Sequence, residues 1–418
     1  MTKKLQAIRG MNDILPSDIK VWQQVESIIK ETVASYGYQE IRFPIVEDTS
    51  LFKRTIGDAT DIVEKEMYTF SDKNGESLTL RPEGTAGCVR AGIEHGLLYN
   101  QKQRLWYMGP MFRHERPQKG RYRQFYQFGV ENFGMENPAT DAELILLGAR
   151  LWQKLRISEK LELQINSLGS KECRDNYKKI LIEYFSQNLD KLDSDSQRRL
   201  NTNPLRILDS KNPEMQDLIA KAPDLLEHLD DESKKHFEEL TSILDQAKIK
   251  YVINPRLVRG LDYYGMTVFE WIDVTKEGAQ NAVCAGGRYN SLVSQLGGQE
   301  TPASGFALGL ERLIELSKTN LKPKQQTILY LITTEKTVTN GMLLAEELRD
   351  KLQNYCVICD AENTSMKAKF KRADKSGADM ALVFGEDEMI NNEVTIKYLR
   401  DNVDQKTIKL IEITNCLV

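Results

Sequence analysis

The chain has 418 residues, of which 28% are charged and 8% aromatic, with a formal net charge of -4. That length exceeds one comfortable core and implies two or three domains. The slightly acidic balance excludes a global basic field, so nucleic-acid contact has to come from local patches, and no stretch is apolar for long enough to span a membrane.

The opening MTKKLQAIRG has two lysines with no apolar run behind them, which predicts a cytoplasmic protein. Residues 17–36 carry apolar side chains at Val21, Trp22, Val25, Ile28, Ile29 and Val33, a helical stripe with Ser17 or Asp18 as cap and Gly37 as stop. Residues 38–43 alternate like a strand ending at Pro44, which belongs at a strand end or sheet edge. Asn74-Gly75 then sits between alternating runs and predicts a tight hairpin. Its second strand enters Arg81-Pro82-Glu83-Gly84-Thr85. A helix opening near Thr85 would present Glu83 and Thr85 at its N-terminal end, either as a simple cap or as ligand-facing groups.

Residues 105–133 read as a hairpin whose tip carries His114, Glu115, Arg116, Lys119, Arg121 and Arg123. On the returning strand the two-residue period puts Phe125, Gln127, Gly129 and Glu131 on one face and Tyr126, Phe128 and Val130 on the other. A polar face beside a cationic loop is a poor core and a plausible lining for a charged ligand, although an exposed amphipathic hairpin would give the same pattern.

Residues 140–155 are predicted helical and 161–168 a strand. Residues 171–248 are rich in Lys, Asp, Glu, Leu and Gln with helical periodicity and read as a helical insertion whose charged faces are mostly solvated, partner contact by some of them being the alternative. Strand grammar resumes at 251–255, followed by RLVRGLDYYGMTVFEW, where Arg256, Arg259, Asp262, Tyr263 and Tyr264 crowd around Gly260 and Gly265. Two guanidinium groups, a carboxylate and two phenols are more than a turn requires, which suggests a ligand site. AGGRYNSL and GFALGLERL follow, the latter running from strand into helix with Glu311 and Arg312. The Walker pattern is absent from these glycine-rich stretches.

A polar segment with Pro323 marks a linker, and beyond it strands alternate with helices, predicting a small α/β domain with a mainly parallel sheet. Its helix MKAKFKRADKS gathers Lys367, Lys369, Lys371, Arg372 and Lys375 into a solvated face or a phosphate contact. Cys356 and Cys359 have C-x-x-C spacing, but three apart on a strand they point to opposite faces, so reduced thiols are expected. His95, His114, His228 and His236 show no metal spacing.

Taken together, the segments resemble the histidyl-tRNA synthetase family of class II aminoacyl-tRNA synthetases, in the family's order and over nearly the whole chain. The helix and strand ending at Pro44 look like motif 1, the hairpin with FRHE like motif 2 and GFALGLERL like motif 3. RGLDYYG and AGGRYNSL look like the two histidine-specific signatures. The resemblance implies an α+β fold: a catalytic core of antiparallel sheet flanked by helices (1–170 and 249–320), a helical insertion (171–248) and a C-terminal α/β anticodon-binding domain (327–418). It also implies a homodimer.

The implied partners are histidine, ATP and tRNA-His, with Mg2+ bound alongside the triphosphate near Glu115. By resemblance Arg113 and Arg259 serve the α-phosphate and carboxylate region, Glu115 and Arg312 the rest of ATP, and Glu83, Thr85 and Gln127 the α-amino group. Glu131 and Tyr264 would meet the imidazole, with Tyr263 supporting the pocket. Arg116, Gln118, Lys119, Arg121 and Arg123 would meet the tRNA acceptor end. A non-catalytic regulatory subunit of histidine biosynthesis is the alternative. Such proteins resemble the core but lack the C-terminal domain and typically lose RGLDYY, and this chain keeps both.

Overall fold

The computed structural model describes residues 4–417 except 57–59, 61, 119, 211, 260, 262, 277–280 and 323–325. The chain divides into two compact units, Met1–Lys322 and Pro323–Val418.

In the first unit, helix α1 (Pro16–Ser35) buries Trp22, Val25, Ile29 and Val33, as the apolar stripe requires. Its start differs from the expected serine or aspartate cap. Leu15 holds the cap position without a side-chain bond and Pro16 supplies the first helical residue, its fixed φ doing the work of a cap. Gly37 follows the helix with a left-handed φ of 76°. The strand expected over 38–43 shrinks to β1 (Gln39–Glu40), because the carbonyls of Phe43 and Pro44 accept hydrogen bonds from the Arg81 guanidinium (2.9 and 3.3 Å) instead of from a neighbouring strand.

A three-stranded sheet follows, β2 (Val46–Asp48), then β3 (Tyr68–Ser71) and β4 (Ser77–Leu80), in spatial order β2-β4-β3 with α2 (Thr49–Ile56) after β2. Asp72 Oδ1 closes the hairpin turn by accepting from Asn74 N and Glu76 N (2.7 and 2.9 Å). From β4 the chain passes through RPEGT into α3 (Thr85–Glu94).

The large sheet combines β1 with β5 (Gln103–Phe112), β6 (Gln124–Phe133), β7 (Leu161–Ser167), β8 (Val252–Ile253), β9 (Gly265–Asp273), β10 (Ala282–Arg288) and β11 (Ala303–Gly309). Its eight strands run β1-β5-β6-β11-β10-β9-β7-β8, antiparallel through the centre and parallel only at the two outer pairs. On one face α1, α4 (Pro138–Lys154), α8 (Asp231–Gln246) and α10 (Leu310–Ser317) cover a core containing Phe128, Val130, Trp152, Phe269 and Phe306. On the other face lie α3, α9 (Leu292–Gln295) and the insertion helices α5 (Lys171–Ser186), α6 (Ser194–Arg199) and α7 (Gln216–Ala220). This second core runs from Phe43 and Tyr107 through Tyr177, Leu181 and Phe185 to Tyr263 and Tyr289.

The charged stretch 171–248 is therefore not one solvated body. Helix α8 buries His236, Leu240 and Leu244 and packs on α4. His236 Nε2 lies 3.0 Å from Asp141 Oδ2 and 3.0 Å from Thr267 Oγ1. Arg288 reaches the same carboxylate through its Nε and an η nitrogen (3.0 and 2.7 Å).

The second unit holds β12 (Thr327–Thr333), α11 (Val338–Lys351), β13 (Tyr355–Asp360), α12 (Met366–Lys375), β14 (Met380–Phe384), α13 (Glu386–Asn391), β15 (Glu393–Tyr398), β16 (Lys406–Lys409) and α14 (Ile413–Leu417). Its sheet, in order β13-β12-β14-β15-β16, is mixed and not mainly parallel: β13, β12 and β14 are parallel, while β15 and β16 are antiparallel. The link from β14 to β15 is a single short helix ending in a left-handed Asn392, too brief for the crossover that a parallel pair needs. Within α12, Lys369 is buried and donates to the carbonyls of Thr333 and Asp360 (2.8 and 3.3 Å), and Arg372 clasps the Asp360 carboxylate. Only Lys367, Lys371 and Lys375 of the five basic residues are exposed. All six cysteines are free thiols.

Candidate active site

A cavity of roughly 870 Å³ opens on the face of the large sheet that bears α3. Its wall brings together nine of the residues singled out in the sequence for substrates: Glu83, Thr85, Arg113, Glu115, Gln127, Arg259, Tyr263, Tyr264 and Arg312. They come from the start of α3, both sides of the hairpin, the loop before β9 and the start of α10, so the fold brings five separated segments together.

The arginines are held by backbone and carboxylate partners. Arg113 donates from Nε to Pro82 O (2.8 Å) and stacks its guanidinium 5.3 Å from the centre of the Phe125 ring. Arg259 bonds Glu270 on β9 and lies 5.4 Å from the centre of the Tyr264 ring. Arg312 donates to Gly120 O (3.1 Å) and to Ala282 O. Burial lowers the pKa of Arg113 and Arg312, whereas at Arg259 burial is outweighed by the Glu270 carboxylate and the two neighbouring tyrosines, and the pKa rises. Anchored cations around one cavity are suited to an anionic ligand such as a polyphosphate.

Polar side chains from the start of α3 and from β6 line the cavity beside Arg113. Glu83 turns back on its own helix, its two oxygens accepting from Thr85 N and Ala86 N (2.7 and 2.8 Å). Gln127 Oε1 accepts from Gly84 N (3.0 Å). Glu131 lies behind this wall at 1% exposure, with Thr85 Oγ1 (2.7 Å), Tyr107 OH (3.2 Å) and Tyr289 OH donating to it. Burial raises its pKa to about 8 against the lowering effect of these hydroxyls. The alternation read from the sequence holds for Gln127, which lines the cavity, and for Phe128 and Val130, which enter the core on the other face, whereas Glu131 is buried and is not among the lining residues. The exposed-hairpin reading therefore fails.

At the hairpin tip Arg116 and Gln118 are exposed, but Arg121 turns inward to pair with Glu115, and Arg123 donates to Glu115 O (3.3 Å). Lys119 lies outside the described residues, as do Gly260 and Asp262. Arg256 is a structural clamp, donating to the carbonyls of Ala220, Ala222 and Pro223 of the insertion.

Sequence reasoning missed Tyr107, Glu270 and Tyr289. Tyr107 had a signal in its glycine neighbours, since a Cβ at Gly84 or Gly129 would come within 2.1 or 2.4 Å of its ring. Among the described residues, no three His, Cys, Asp or Glu side chains cluster as a metal-binding set. Glu115 and Glu270 do line the cavity, and a magnesium ion coordinated mainly by phosphate oxygens needs only one or two such carboxylates, so the donor set fits.

A family model described as histidyl-tRNA synthetase matches residues 10–313, and one described as an anticodon binding domain matches residues 327–418. The structure of apo S. aureus histidyl-tRNA synthetase is similar, with 36% identity, a TM-score of 0.82 and 99% of each chain covered. A structure named as an ATP phosphoribosyltransferase regulatory subunit/histidyl-tRNA synthetase from Bacillus halodurans shares 20% identity at a TM-score of 0.66, covering 92% of this chain and 99% of that one. That of histidyl-tRNA synthetase from Nostoc sp. shares 19% identity at a TM-score of 0.69 over 99% of each chain.

Proposed function

The chain belongs to the histidyl-tRNA synthetase family, and from that premise we propose that it ligates histidine to tRNA-His. Its large central sheet with flanking helices matches the class II synthetase fold, followed by an anticodon-binding domain. Histidine and ATP would form histidyl-adenylate and pyrophosphate, and the histidyl group would then pass to the 3′ end of the tRNA. The observation that carries this reading is the single cavity in which three anchored arginines face a wall of Glu83, Gln127 and Tyr264.

The chemistry follows from that arrangement. Attack of a carboxylate on the α-phosphate builds negative charge on phosphate oxygens, and guanidinium groups already in place stabilise it without reorganisation. Arg113 and Arg259 fill this role, and Arg312 holds the far part of ATP. Glu83 and Gln127, with Thr85, orient the α-amino group. Glu131 and Tyr264, backed by Tyr263, satisfy the imidazole nitrogens, so an apolar side chain would leave buried polar groups unpaired. Discrimination of roughly 10⁴ or more is available to such a site without editing. Magnesium held by Glu115 would neutralise charge on the leaving pyrophosphate. The exposed Arg116 and Gln118, with Lys119, Arg121 and Arg123, serve the acceptor end of tRNA, for which Arg121 has to exchange its Glu115 partner. We place the protein in the cytoplasm as a homodimer; no helix among the described residues is long and apolar enough to cross a membrane.

Histidine-dependent exchange of labelled pyrophosphate into ATP is the test. Exchange with histidine alone is expected, and its absence would favour a regulatory subunit, the name borne by the Bacillus halodurans neighbour. A second expectation concerns the unit beginning at Pro323. Its removal should leave exchange within a few-fold of the parent yet strongly reduce tRNA charging, and unimpaired charging would withdraw its anticodon role.

A further inference from the structure

The residues that precede α1 bury almost nothing. From Lys4 to Arg9 every residue is exposed, Leu5 at 95% and Ile8 at 64%, and of this stretch only the next residue, Gly10, is buried. Apolar burial therefore does not hold it in place, and its backbone bonds have to. Met11 N donates to Ile8 O (2.9 Å) and closes a turn in which Gly10 has a φ of 85°. The Gly10 carbonyl then accepts from Arg123 N (2.7 Å) and Gln124 N (3.2 Å), while Arg123 O accepts from Arg113 N (2.9 Å). The ladder of the hairpin ends at the pair Phe112 and Gln124, so Gly10 stands beside the neck as a third backbone segment where β5 and β6 have ended. The approach leaves no room for a side chain: a Cβ on Gly10 would lie 2.9 Å from Pro117 Cγ and 3.0 Å from Arg123 Cγ. The turn and the contact both require glycine.

We propose that Gly10 is a positioning residue for adenylate formation, its turn clamping the neck of the hairpin so that Arg113 is set in place before substrates enter. The proposal rests on the histidine-ligase reading, which gives Arg113 its role at the α-phosphate. The Arg123 carbonyl that takes the Arg113 amide belongs to the segment that Gly10 holds, and so does Phe125, whose ring centre lies 5.3 Å from the Arg113 guanidinium. Loosening of that segment removes two of the supports of Arg113 and leaves the bond from its Nε to Pro82 O. The amino-acid side of the cavity is built differently. Glu83 is set by Thr85 N and Ala86 N, and Gln127 lies inside the ladder, opposite Gly109 and Gly309. A displaced turn should therefore disturb the phosphate chemistry and spare histidine binding.

The experiment compares Gly10→Val, Gly10→Ala and Met11→Pro in the full chain by single-turnover adenylate formation, histidine KM in pyrophosphate exchange, and thermal unfolding. Expected for Gly10→Val is adenylate formation about 10- to 100-fold slower than in the parent, the scale of loss when a reacting group is misplaced by a distant change. Gly10→Ala should fall less. Met11→Pro removes the N–H that closes the turn while leaving Gly10 itself unaltered, and it should slow the same step. In all three the histidine KM should stay within threefold. The unfolding midpoint should stay within about 3 °C, because among the described residues none from Lys4 to Met11 belongs to a hydrophobic cluster. A merely structural role would slow the step only together with a raised histidine KM or a lowered midpoint. Either that pattern, or rates within twofold of the parent for both Gly10→Val and Met11→Pro, overturns the proposal. If Gly10→Val does not fold, Gly10→Ala takes its place under the same criteria. Failure of the parent protein to exchange with histidine would instead remove the ligase reading, and the proposal with it.

Discussion

Arg259→Ala should slow histidyl-adenylate formation by about 10²–10³-fold, the usual loss on removing one preplaced donor to developing charge, with smaller changes in the apparent affinity for histidine and ATP. The expectation comes from how the side chain is held. Glu270 takes its guanidinium from one side and the Tyr264 ring covers another, so the cation is fixed in direction before any substrate enters. A group that is already placed contributes most where charge appears during reaction and least where it is already present in the ground state. Lysine at this position should recover little, because a compact ammonium cannot reproduce a planar fork between a carboxylate and a ring. Single-turnover measurement of adenylate formation is the appropriate check, and near-parental turnover would strike Arg259 from the reacting set.

Asp141→Ala should destabilise the first unit by about 3–5 kcal/mol, as expected when a buried ion pair loses one partner and the other charge stays buried. Asp141 and Arg288 are 0% and 1% exposed, and the carboxylate also holds His236 on α8. Burial pushes the Asp141 pKa up, but the Arg288 charge and the hydrogen bonds from His236 and Arg288 outweigh it, so the folded-state value is lowered. Its stabilisation is then fully present above the ordinary carboxylate range and is lost as pH falls through the lowered value. Chemical denaturation should give a parent-to-variant gap that is constant near neutral pH and narrows in acid. A loss below about 1 kcal/mol would mean that the surrounding carbonyls of Met135 and Asn137, which Arg288 also bonds, suffice for it.

These two residues also show where a sequence stops being readable. Arg259 sits in a dense local cluster of chemically demanding residues, and its candidacy needed no fold. Asp141, His236 and Arg288 lie on α4, α8 and β10, and each alone is an ordinary charged residue on an amphipathic element. Only the packing of α8 on α4 and on the sheet brings them together, so the charged faces of the insertion read as mostly solvated. Tyr107 and Tyr289 were hidden for a related reason: a tyrosine in a strand or directly after one reads as core until the fold shows its hydroxyl against Glu131. The hairpin faces were legible because a period of two is local. In the second unit the strands over EVTIKY and KTIK went unread, and with them the antiparallel edge of the sheet, because a short alternating segment does not give the direction in which it pairs.

The hairpin β5–β6 separates two kinds of heritable change. The part of its tip between Glu115 and Arg123 lies outside β5 and β6, so residues can be added or lost there without altering any strand partner. Within β6 a single inserted residue would exchange Gln127 and Glu131 for Phe128 and Val130, emptying the site of polar groups and filling the opposite core with them. Relatives of this chain should therefore differ in the length of the tip while the spacing from Gln127 to Glu131 stays constant. The tip can diversify by insertion and deletion, whereas the polar face of β6 can change only one substitution at a time.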